Sequence, residues 1–136
     1  MIIQKEIYLK AYGRGVHLIT SDIENNLPEL PKIGMLNIFV KHSSAAISIN
    51  ENADPSVRMD MNNFLDRFSP DNTSYFTHTD EGSDDMPSHI KTSFIGSSIN
   101  IPITNGNLNM GIWQGIYLLE FRNGFRERKL VLTIYS

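Results

Sequence analysis

The chain has 136 residues, 40% of them apolar and 20% charged, with a net charge of -3 and no cysteine. That length suits one domain, residues 1–136, with a core large enough to need no disulfide. The missing cysteines exclude a disulfide framework, thiolate metal sites and cysteine nucleophiles. An isoelectric point near 5.7 leaves no basic stripe for nucleic acid. No apolar run reaches bilayer length, so no membrane partner is expected. The N-terminal Met1-Ile2-Ile3-Gln4-Lys5-Glu6 lacks the plan of a signal peptide, which makes the cytoplasm the expected location.

Residues 2–9 alternate, with Ile3, Lys5, Ile7 and Leu9 on one face and Gln4 and Glu6 on the other, and predict a strand. Gly13 and Gly15 break it, and 16–20 form a second short strand. Ser21 or Asp22 caps a short helix that Pro28 and Pro31 end. Residues 36–50 read as one long strand or two joined strands. Phe39, Ile47 and Ile49 share one parity and His42, Ser44, Ser48 and Asn50 the other, which gives a packed face and a polar face.

Asp54-Pro55 opens the clearest helix, with a good N-cap and a proline suited to the first turn. Val57, Met61, Phe64, Leu65 and Phe68 make its apolar stripe, expected to cover the sheet, and Pro70 stops it. Residues 71–86 are polar and turn-rich, a long loop of the kind that often carries function. Pro87, the Ile90–Phe94 pair and Gly96 mark a second, short helix. Asn105-Gly106 and Asn123-Gly124 are hairpin signals that divide the C-terminal third into a meander. The expected class is α+β: mostly antiparallel sheets packed on one main amphipathic helix.

Three of the four histidines stand in polar settings: His42 on its strand, His78 in the acidic loop, and His89 in the short helix. With a carboxylate they would satisfy Zn²⁺ or a similar transition ion. Their wide spacing equally suits three unrelated hydrogen-bonding histidines. His17, between apolar neighbours, reads as structural. Glu51 is a candidate general base and Asn52 a candidate substrate-hydrogen-bonding group at a strand-to-helix junction. The capping role is the stronger reading for Asp54. Lys91, with Ser97 and its flanking hydroxyls and glycine, is a candidate phosphate binder, although the same residues suit a plain helix end. No Walker loop or dinucleotide fingerprint is present. Trp113, between Gly111 and Gly115, reads as a ligand wall or as a core tryptophan in a kinked strand. Gln114, Glu120 and Arg122 lie on the polar face beside it.

In order, His42-Ser43-Ser44-Ala45, Ile49-Asn50-Glu51-Asn52-Ala53-Asp54-Pro55, His78, His89-Ile90-Lys91, Gly96-Ser97-Ser98, Trp113-Gln114-Gly115-Ile116 and Glu120-Phe121 resemble the YjbQ family, also called the secondary thiamine-phosphate synthase family. The resemblance covers nearly the whole chain. Ser43 and Ser44 keep the hydroxyls of the family's usual threonines, and Asp84-Asp85-Met86-Pro87 resembles one branch of it. It implies a YjbQ-like fold, a homotrimer, and a polar site near a subunit interface whose histidines can hold a metal. It also implies a thiamine phosphate synthase activity, a transferase coupling hydroxymethylpyrimidine diphosphate to thiazole phosphate. In that frame His42, His78 and His89 hold the metal, and Glu51, His42 and Glu120 are the catalytic candidates. Asn52, Lys91, Ser97, Gln114 and Arg122 bind a phosphorylated substrate. Pyrophosphate release favours Mg²⁺, whereas histidine ligands favour Zn²⁺. Two alternatives stand beside it: a metal-dependent hydrolase or lyase of a small phosphorylated metabolite, and a non-catalytic small-molecule-binding homotrimer.

Overall fold

The computed structural model describes residues Met1–Ser136. The strands form two antiparallel sheets. With strands β1 (Ile2–Tyr8), β2 (Gly15–Leu18), β3 (Ile33–Val40), β4 (Ala45–Glu51), β5 (Ser98–Thr104), β6 (Asn107–Leu108), β7 (Gln114–Glu120) and β8 (Lys129–Tyr135), one sheet runs β1-β8-β3-β5-β6 and the other β2-β7-β4. The helices are α1 (Thr20–Glu24), α2 (Pro55–Phe68) and α3 (Asp85–Ile95). The fold is α+β, and no helix is long and apolar enough to cross a membrane.

The two sheets face each other across the main core, where Leu36, Ile38, Val40, Ile101, Leu130 and Leu132 of the larger sheet meet Ile47, Ile116 and Leu118 of the smaller. Behind the smaller sheet lies a second core of Ala46, Tyr117, Leu119 and Phe121. Leu65 and Met61 of α2 and Ile95 of α3 close it. Strand β7 is therefore buried on both faces, which is why its alternate residues are almost all large and apolar. Fully burying such a side chain contributes about 1.5–3 kcal/mol.

Several sequence expectations change. Residues 36–50 are two strands in different sheets, because the chain turns at 41–44 and resets the parity. Leu36, Ile38 and Val40 are buried and Phe39 faces outward. Asn105-Gly106 makes the expected hairpin, with positive φ at both residues (52° and 76°). Asn123-Gly124 does not, since β7 and β8 belong to different sheets and the turn carries the chain between them. The C-terminal third is thus no meander. Ser21 and Asp22 lie inside α1, whose cap is Ile19, and the helix ends at Asn25 before either proline. Asp54 caps α2 as expected, accepting from the Ser56 N–H at 2.9 Å.

Helix α2 buries a different arc from the one its apolar stripe predicts. Leu65 is buried, but Phe64 and Phe68 are exposed, while Arg58, Asn62 and Asp66 are half-buried. The helix is rolled toward its polar side because Asp66 receives the Nζ of Lys91 at 2.7 Å and the Nη2 of Arg14 at 3.0 Å.

Candidate metal centre

Asp85 opens α3, and His89 follows one turn later on the same face, so one helix supplies two convergent groups. The loop before α3 brings His78 to the same point. The Nε2 of His78 lies 2.7 Å and the Nε2 of His89 3.0 Å from the same oxygen, Oδ2 of Asp85. The three ligand atoms all lie within 4.8 Å of one another. Asp85 is buried, whereas both imidazoles reach the surface.

The surroundings orient each group. His89 donates its Nδ1–H to the Ser43 carbonyl at 2.8 Å, so in the neutral ring Nε2 presents a lone pair toward Oδ2. Two lone pairs at that distance repel unless a cation or a proton lies between them. The other oxygen of Asp85 accepts from Arg122 Nη1 at 2.5 Å. Burial alone would raise the Asp85 carboxyl; the His78 hydrogen bond and the charges of His89 and Arg122 outweigh it and hold the group below the ordinary carboxylate range. Asp84 is likewise desolvated, yet is held low by the Asn123 N–H and by Arg122.

Two imidazoles and one carboxylate are a transition-metal donor set. Ligands about 2.0–2.1 Å from a tetrahedral ion stand about 3.3 Å apart, so the two spacings to Asp85, 2.7 and 3.0 Å, would open by roughly half an ångström or less to admit one. Beside His78 lies a cleft of about 200 Å³, walled by Asn72, Thr73, Phe76, Thr79, Gly82, Ser83 and Met86.

The structure gathers only part of the predicted set. His42 stands apart from the cluster: its Nε2 accepts the Lys129 backbone N–H at 2.8 Å, and burial, then the charge of Arg128, lowers its pKa. Glu120 is buried in a fork with Arg128, at 2.6 Å to Nε and 2.5 Å to Nη2. Arg128 also reaches the Ser44 carbonyl and hydroxyl. Glu51 caps the entry to α2, accepting from the Ala53 and Asp54 N–H groups. Asn52 donates to the carbonyls of Ile112 and Gln114, and Gln114 accepts from the Gly111 N–H, so both pin the loop that carries Trp113. Trp113 itself is 63% exposed, outside the core. Lys91 is fully buried on Asp66, and the Ser97 carbonyl accepts from the Val40 N–H. Arg122 spends its guanidinium on Asp84, Asp85 and the Glu81 carbonyl.

The member of this cluster that the sequence did not single out is Asp85. Its spacing of four from His89 within one predicted helix was the available signal; the Ser43 carbonyl, a backbone group, has none.

The model of the family described as "UPF0047 protein YjbQ-like" matches residues 5–136. The chain belongs to that family. It is 45% identical over 133 residues to UPF0047 protein YjbQ of Escherichia coli O157:H7, covering 96% of each chain. It is 40% identical over 111 residues to UPF0047 protein YugU of Bacillus subtilis, covering 81% of each. Among solved structures, a YbjQ-like protein of unknown function from Sulfolobus solfataricus superposes with a TM-score of 0.84 at 26% identity, covering 100% of this chain and 98% of that one. A YjbQ/UPF0047 protein from Clostridium acetobutylicum gives 0.79 at 38%, covering 96% and 98%.

These relatives correct the activity implied by the resemblance. They are UPF0047 proteins with no activity named, one of them described as of unknown function, and nothing among them indicates thiamine phosphate synthesis. The geometry agrees, because the two cations expected to receive pyrophosphate, Lys91 and Arg122, are both committed to carboxylates within the fold. The motive for Mg²⁺ falls with that reaction.

Proposed function

We propose that His78, Asp85 and His89 bind one divalent transition metal, Zn²⁺ or a neighbour of it, and that the adjoining cleft presents a small polar molecule to that ion. The observation that carries this reading is the Ser43 carbonyl on His89 Nδ1, which fixes the tautomer with Nε2 aimed at Asp85. When bound, such a metal supplies Lewis acidity toward an oxygen ligand. His78 and His89 hold it, Asp85 offsets its charge, and Arg122 fixes the carboxylate plane.

The cleft walls hold no lysine or arginine. Asp80, Glu81 and Asp84 stand in the same loop, and Arg122 is already matched by Asp84 and Asp85. This balance favours a neutral ligand with oxygen or nitrogen donors over a phosphorylated one. The test is metal content of the purified chain by plasma mass spectrometry. About one ion per chain is expected, lost in His89→Ala and His78→Ala and kept in His42→Ala. A metal-free wild type that takes up none on incubation with Zn²⁺ ends the proposal.

Self-association remains part of the reading. Phe64, Phe68 and Phe94 form a ridge, the first two rings stacked with centroids 6.4 Å apart and the last two edge-to-face at 4.9 Å, and all three are exposed. A contiguous aromatic patch of this kind supports the homotrimer, which sedimentation of wild type and Phe64→Ser tests.

A further inference from the structure

A second cleft, of about 270 Å³, lies where the N-terminal half of α2 crosses β2. Helix α2 is about 20 Å long, and the metal-side cleft begins beyond its far end, at Asn72, so the two are separate places. Arg58, Asn62 and Met59 of α2 face Gly15, Val16 and His17 across this second cleft. The Nη1 of Arg58 is wholly buried and finds no acceptor in the protein. None of the chain's ion pairs includes Arg58. Asp54, one turn back, feels its charge but turns Oδ1 to the Ser56 N–H.

An orphaned guanidinium donor is costly, because a buried polar group without a partner forfeits its hydration. Three other arginines avoid that cost: Arg14, Arg122 and Arg128 are each matched by carboxylates. The walls around Arg58 are also held in place. His17 commits Nε2 to the Gly13 carbonyl at 2.6 Å and packs on Tyr12, with ring centroids 4.7 Å apart. Gly15, at φ +139°, adds no side chain to the floor.

We propose that this cleft is a binding site for a small oxyanion, a carboxylate or phosphate group, held by the guanidinium of Arg58 between α2 and β2. Guanidinium has the fork geometry that both groups match and is more weakly hydrated than an ammonium. Asn62 lines the same cleft and offers an amide donor beside it. The site is independent of the metal proposal, since no residue is shared between the two clefts.

The experiment is an NMR titration of the full ¹⁵N-labelled chain at constant ionic strength, with inorganic phosphate in one series and acetate in the other. Saturable shifts are expected at the Arg58 side chain and at the Val16 and His17 amides. The anion that saturates at the lower concentration identifies the class. Arg58→Gln should bind about ten- to a hundredfold more weakly. Arg58→Lys, which keeps the charge without the fork, should fall between, and His89→Ala should bind as wild type does. Non-saturating shifts with both anions overturn the site, as do equal shifts in Arg58→Gln. So does an Arg58→Gln chain that sediments differently while the wild type ignores both anions, because Arg58 then answers a carboxylate of a second copy. Should Arg58→Gln melt far below wild type, the Arg58→Lys and wild-type series decide alone.

Discussion

Two clusters of charge sit on either side of the 43–44 turn, and they are built to opposite rules. In the Glu120–Arg128 pair both residues are buried, both carboxylate oxygens accept from the guanidinium, and the spare donor goes to Ser44. In the His78–Asp85–His89 group one buried oxygen faces two imidazole nitrogens that open to solvent. A satisfied buried pair has no charge left over, whereas a carboxylate oxygen shared by two imidazoles is the arrangement on which the metal proposal rests. Glu120, a catalytic candidate through the family resemblance, has both carboxylate oxygens taken up by Arg128.

The comparison breaks most visibly if the buried pair is cut. Arg128→Met alone leaves Glu120 charged and unpartnered, and should cost about 3–5 kcal/mol in urea unfolding. The double variant Arg128→Met with Glu120→Gln should recover most of that. Equal losses in the single and double variants would show that packing, not charge, is what the pair supplies.

Metal should produce the next largest effect. Zn²⁺ at a hundred times its dissociation constant should add about 2.7 kcal/mol to wild-type stability, read as a rise in melting temperature. His89→Ala and Asp85→Asn should lose the rise, while His42→Ala keeps it. A rise that survives in His89→Ala places the ion elsewhere.

Acid gives a third, smaller contrast. Asp84 and Asp85 are held below the ordinary carboxylate range in the fold, so below about pH 4 the unfolded chain takes up protons first. Their stabilisation is present above that pH and disappears as pH falls through the folded values. The urea midpoint measured from neutral to strongly acidic pH should decline there. Asp84→Asn should decline less steeply, and an unchanged slope would remove Asp84 from the linkage.

The smallest effect is expected at Phe64, which is 68% exposed. Phe64→Ser should alter stability by about 0.5 kcal/mol or less. Its value lies in sharpening the oligomer question, since a large loss of stability at low protein concentration would mean that the ridge is buried between copies.

Helix α2 and the histidine–aspartate cluster both depend on residues far apart in the chain. Of the α2 stripe only Leu65 is buried, and the roll that exposes Phe64 and Phe68 goes with Asp66 meeting Lys91 and Arg14, residues 25 and 52 positions away. His78 and His89 were visible as polar histidines. Asp85 stands four residues before His89, a helical spacing that places both on one face of α3. His42, grouped with them by its polar setting and the family resemblance, accepts the Lys129 N–H at Nε2 and lies outside the cluster.

By itself the sequence determined what lies within a few residues: the Asp54 cap and Pro55 start of α2, the Gly96 stop of α3, the Asn105-Gly106 hairpin and the β-rich class. These are set by local sterics and backbone hydrogen bonding, which neighbouring residues carry. Only the tertiary structure decided which sheet each strand joined, and that β7 is buried on both faces. It alone decided that Glu120 is an internal strut and that His78, Asp85 and His89 converge. Those outcomes depend on contacts between distant segments, whose partners are chosen by packing and by the need to satisfy each buried charge, and no short window of sequence contains both sides of such a choice.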